Sequence, residues 1–109
     1  MAETKPFKVT LSEADEYQTI LAGRPQSFGM RSGRQALGAG VECGVHSTKA
    51  HEEVLVILKG HGLVQMTGVG DYPVRAGEVL YVPPETEHNV VAGEEGLRYV
   101  YVVAPITEA

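Results

Sequence analysis

His46, His51 and Glu53 fall within eight residues of one another, and the apolar run VLVIL follows at once. A fourth candidate of the same chemistry, His88, stands in the later stretch YVPPETEHNV. Imidazole nitrogen and carboxylate oxygen together suit Mn, Fe, Ni, Zn or Cu. Three neutral imidazoles and one carboxylate leave one or two positions open on an octahedral ion, where substrate or water can be activated. The residues therefore predict a divalent transition-metal site built from His46, His51, Glu53 and His88. Glu53 is read either as a ligand that doubles as a catalytic base or as a carboxylate that orients an imidazole. The competing reading is a polar pocket without metal. His61 follows the turn glycine Gly60 and is expected at the surface.

These side chains need elements to carry them. Strand residues two apart share a face, so His51 and Glu53 point the same way if a strand begins near Ala50, while Glu52 faces solvent. A turn at STKA would bring His46 back beside His51. His88 precedes the apolar stretch NVVAG and can project from a third strand. From Ser27 onward the chain is a series of short runs rich in Val, Leu, Ile and Tyr, bounded by Gly, Pro, Asn or Asp and spaced at roughly ten residues. No helical-length segment lies between them, which predicts an antiparallel sandwich or small barrel and not βαβ units. Pro83-Pro84 ends a strand and fixes the loop that presents His88.

The first 35 residues read differently. FKVT suggests an edge strand. Ser12 with Asp15 is a loose helix cap, Ala14, Tyr17 and Leu21 recur at helical spacing, and Gly23 with Pro25 closes the segment. One short N-terminal helix is expected. The division is a strand/helix extension over 1–35 packing on a barrel over 36–109, a single domain overall. Arg24, Arg31 and Arg34 are solvated surface or an anion site beside the barrel mouth. Cys43 is an odd number of residues from His46 and is expected to face away from the pocket. Tyr99 and Tyr101 share a face of the last strand, as core or as pocket-lining phenols.

The chain has 109 residues, one cysteine and a net charge of −5. That length suits one domain with one core. The acidic balance argues against nucleic acid or an anionic membrane as partner. A single cysteine forms no internal disulfide, no apolar run reaches the ~18–20 residues needed to span a bilayer, and the N-terminus carries no hydrophobic signal core, so a cytoplasmic protein is expected.

The pattern resembles the cupin superfamily, in particular the small single-domain cupins. Their first motif is matched by Gly40, five residues, His46, and by Glu53, six residues, Gly60; the second is matched by Gly77, five residues, Pro83, and by His88 at its offset. Three positions depart: Thr48 replaces the second histidine of the first motif, Glu85 a glycine and Ala92 an asparagine. His51, three residues after Thr48, is the candidate to take over its coordination. The resemblance spans about Gly40 to Ala92, with LRYVYVVAP as the closing strand. It implies an all-β jelly-roll barrel (a double-stranded β-helix), a homodimer, and a divalent metal at the barrel's inner end. The function it implies is a metal-dependent enzyme, dioxygenase- or isomerase-like, acting on a small organic molecule. The alternative is a non-catalytic module that binds or senses a small molecule.

Overall fold

The computed structural model describes residues 4–107. Seven strands carry the fold: β1 (Gln18–Ala22), β2 (Arg31–Leu37), β3 (His46–Ser47), β4 (His51–Met66), β5 (Gly70–Arg75), β6 (Val79–Val82) and β7 (Glu87–Pro105). All pairings are antiparallel. Two strands, β4 and β7, are three to four times the ordinary length and organise the rest. The N-terminal half of β4 lies between β6 and the C-terminal half of β7, which continues through β2 to β1. The C-terminal half of β4 lies between β5 and the N-terminal half of β7, which also pairs with β3. The two long strands thus pass from one face of a jelly roll to the other.

Their crossing is marked by register shifts between Ile57 and Lys59 and between Gly60 and Gly62. Gly60 has φ +82°, and a Cβ there would sit 2.9 Å from the Gly96 carbonyl carbon. Only glycine takes this bend without strain. Between the two faces Leu55, Ile57, Val64, Met66, Val74, Val82, Val90, Ala92, Leu97 and Tyr99 form the core. Alternation places them: along β4, Glu53, Leu55 and Ile57 are buried, and the residues between them are less so.

The expected N-terminal helix is absent among the described residues. Residues 12–17 form a bent strap instead. Ser12 does make a local cap-like bond, its hydroxyl accepting from the Ala14 N–H at 3.0 Å. The carbonyls that a helix would use internally are taken by a buried guanidinium: Arg34 donates to Ser12 O at 2.5 Å, Ala14 O at 3.0 Å and Glu16 O at 2.8 Å. Arg34 is only 1% exposed, so these charge-assisted bonds form where water does not compete. The weak periodicity is overridden, Tyr17 turns toward the barrel interior, and Leu21 becomes part of β1. FKVT is not a strand either.

Candidate metal centre

β3 is only two residues long, but it pairs His46 directly with His88 of β7. Their ring centroids are 4.3 Å apart. Glu53 reaches the same point from β4. One ligand atom from each of His46, Glu53 and His88 lies within 4.8 Å of the other two. Glu53 and His88 are buried, at 6% and 1% exposure, and His46 is exposed toward the opening.

Each imidazole is fixed from behind. The Nδ1 of His88 bonds the Thr86 carbonyl at 3.0 Å, and that of His46 bonds the Gly44 carbonyl at 3.0 Å. A carbonyl only accepts, so both rings carry their proton on Nδ1 and turn a lone pair on Nε2 inward. That creates a requirement. His88 Nε2 lies 3.0 Å from Glu53 Oε1, and two acceptors at that distance in a buried site need a cation between them. A proton meets the need in the metal-free protein, and a divalent ion meets it better, because it satisfies His46 as well. Two imidazoles and one carboxylate are hard-to-borderline donors that fit Fe, Mn, Ni, Zn or Cu.

His51 lies on the same face of β4 as Glu53 and lines the same cavity, but it is not in this group of three. A two-residue step along a strand is roughly 7 Å. That offset carries the His51 backbone away from the rung where His46 and His88 meet. The STKA turn does form, with the His51 N–H donating to Thr48 O at 3.1 Å and Lys49 at φ 52°. It delivers His46 to its pairing with His88. His61 packs half-buried over Gly93, outside the site.

Thr48 is a brace. Its hydroxyl donates to Pro83 O at 2.7 Å and accepts from the Thr86 N–H at 3.0 Å. The backbone adds Thr48 N–H to Thr86 O at 3.2 Å and Glu85 N–H to Lys49 O at 2.8 Å. The loop that orients His88 is therefore tied to the loop that follows His46. Glu85 adopts φ 53°, the left-handed conformation that a glycine takes more easily.

Cys43 is turned inward, contrary to the alternation argument. Its sulfur accepts from the Val90 N–H at 3.3 Å, and the residue lines the cavity. Parity fails because residues 43–45 are not a strand, and Gly44 has φ +101°. Asn89 was not singled out by sequence, yet it holds this segment. Its amide donates to Glu42 Oε1 at 2.7 Å and its carbonyl accepts from the Gly44 N–H at 3.0 Å. Its adjacency to His88 was the available signal.

The cluster opens into a cavity of about 560 Å³ whose wall includes Leu55, Val90, Tyr99, Tyr101, Tyr17, Gln35 and Arg31. Burial raises the phenols of Tyr99 and Tyr101, reinforced by Cys43 at Tyr99 and by Tyr17 at Tyr101. Both are neutral hydroxyls at ordinary pH. Tyr17 is the wall residue that sequence alone could not place, since it comes from the strap and meets a partner 84 positions away.

A jelly roll with histidine and glutamate ligands facing its cavity defines a cupin. The Cupin domain family matches residues 33–103, and the chain belongs to that family. Among curated proteins it is 42% identical over 60 residues to dimethylsulfoniopropionate lyase DddW of Ruegeria pomeroyi, a stretch covering 51% of this chain and 39% of that protein. The match thus spans well under half of the relative's length. Among solved structures, a Bacillus halodurans protein is similar with a TM-score of 0.77 at 17% identity, covering 100% of this chain and 89% of its own. An RmlC-like cupin from Desulfovibrio desulfuricans gives 0.73 at 23% identity, covering 94% and 98%. A cupin protein from Bacteroides fragilis gives 0.71 at 20%, covering 96% and 90%. At these identities the structural likeness speaks for the fold.

Proposed function

We propose that the chain is a metal-dependent enzyme in which His46, Glu53 and His88 hold one divalent transition-metal ion and a small polar organic molecule occupies the adjoining cavity. The observation that carries this reading is the three-ligand cluster itself, two members buried and both imidazoles aimed by backbone carbonyls. When bound, the ion supplies Lewis acidity at a substrate oxygen or, if redox-active, a place for O2. The chain's own residues do the rest. Gly44 and Thr86 hold the ring orientations. Leu55 and Val90 keep the inner wall apolar and raise the strength of every polar contact made there. Tyr99 and Tyr101 present neutral hydroxyls that can donate a hydrogen bond or a proton to the substrate.

Dioxygenase- and isomerase-like chemistry is what the cupin resemblance implies, and two histidines with one carboxylate also suit Fe(II) oxygenases. The partial relative adds a third class, a lyase, and we favour it because that match carries 42% identity over 60 residues, about half of this chain. The test is turnover of dimethylsulfoniopropionate, followed by loss of its proton NMR signals, with protein loaded in turn with Fe(II), Mn(II), Ni(II) or Zn(II), with and without O2. The lyase reading expects O2-independent turnover that disappears in His88→Ala. Turnover only with O2 favours the dioxygenase. A protein that purifies without metal and holds a small molecule in the cavity supports the binding module instead.

A further inference from the structure

The cavity has a second polar end. Arg31, Gly33 and Gln35 alternate onto the inner face of β2, and Arg31 and Gln35 line the cavity with Tyr101 and Val103 of β7. Gly33 stands opposite Tyr101. A Cβ at Gly33 would lie 2.7 Å from the Tyr17 ring and 2.9 Å from the Tyr101 ring, so its missing side chain is the space that Tyr17 fills. Tyr17 enters from the strap clasped by Arg34, stacks on Tyr101 with centroids 6.3 Å apart, and hydrogen-bonds it hydroxyl to hydroxyl. Arg34 and Arg98 are engaged, by strap carbonyls and by Asp15 respectively. Arg31, at the opening, has no carboxylate partner among the described residues.

Register sets the distance between the two ends. Arg31 pairs with Val103 and Val103 pairs with Glu53, so all three stand on one rung. Two strand spacings separate Arg31 from Glu53, roughly 10 Å between backbones. Both side chains project from the same face of the sheet into one cavity of about 560 Å³, which has room for a ligand of a few carbons.

We propose that Arg31, Tyr17 and Tyr101 form an anion subsite that takes the carboxylate of a small organic acid whose other end faces the His46–Glu53–His88 cluster. A planar guanidinium flanked by phenol donors matches a planar carboxylate. Burial and the Tyr17 hydroxyl raise the Tyr101 phenol and keep it protonated, and since the two hydroxyls share one hydrogen bond, one O–H of the pair is left to donate to the carboxylate. The assignment rests on the cavity being the substrate site and names the substrate class.

The probe is butyrate, with butyramide as its uncharged counterpart, titrated into Zn(II)-loaded and metal-stripped protein and followed by amide NMR shifts. Butyrate should bind saturably and at least about tenfold more tightly than butyramide, and Arg31→Gln should weaken it about tenfold in both metal states. Tyr17→Phe and Tyr101→Phe should each weaken it several-fold, and Arg75→Gln, on β5 and outside this cavity, should change nothing. Equal affinity for butyrate and butyramide, no saturable butyrate binding, or indifference to Arg31→Gln overturns the subsite. Butyrate binding that vanishes with the metal and ignores Arg31 overturns the subsite while sparing the metal centre. Arg31-dependent binding in a protein that takes up no metal supports the subsite and defeats the metal reading.

Discussion

At the scale of single residues, the site is made by contacts that residue type alone does not announce. Thr48 stands where the family motif has a histidine, yet its hydroxyl bridges Pro83 and Thr86 and so sets the loop before His88. Thr48→Val keeps the shape and removes both bonds, leaving the Pro83 carbonyl and the Thr86 N–H short of a partner. We expect a loss of about 1–3 kcal/mol in urea denaturation, together with weaker metal binding. Unchanged metal affinity would mean that the loop holds His88 without this brace. His46, Glu53 and His88 were legible because imidazoles and a carboxylate beside a strand pattern point to one chemistry. The place of His51 was not, because a two-residue offset is invisible until β4 is registered against β7. Cys43 misled for a related reason: alternation applies only inside a strand, and Gly44 ends that premise.

At the scale of elements, alternation and turn residues were enough to foresee short antiparallel strands and a barrel. They could not foresee that two runs joined across bends into strands as long as β4 and β7. Gly60 is the hinge of that joining. Gly60→Ala forces a side chain into φ +82° and against Gly96, and should cost about 3 kcal/mol or more by equilibrium unfolding. The strap is the opposite case, an element decided by a distant side chain. Its helix signal was real but weak, and the carbonyls of Ser12, Ala14 and Glu16 found a better donor in Arg34. Arg34→Met should free residues 12–17 to exchange amide hydrogens far faster while the β4–β7 core stays protected. Equal protection of strap and core in that variant would show that something else anchors the segment.

At the scale of the whole molecule, a metal ion held as proposed would compete with protons for the His46–Glu53–His88 cluster, and both would be coupled to folding. In the metal-free protein burial lowers the His88 imidazole, but the bonds to Glu53 and to the Thr86 carbonyl, with the Glu53 charge, outweigh it and hold it above 6.5. A raised imidazole favours the folded state when protonated. Its contribution is complete below about 6.5 and is lost as pH rises through the raised folded value. The metal-free protein should therefore melt higher near pH 6 than near pH 8.5, and His88→Gln should abolish that difference. Metal-loaded protein should show the reverse trend over the same window, since protons displace the ion from its ligands. The most direct measurement is metal content per chain, by elemental analysis after loading and exhaustive dialysis. Wild type and His51→Ala should each retain about one ion, while His46→Ala and His88→Ala should lose it, with the melting temperature falling to that of the stripped protein. Full metal content in His46→Ala and His88→Ala, or none in wild type, would contradict the three-residue centre.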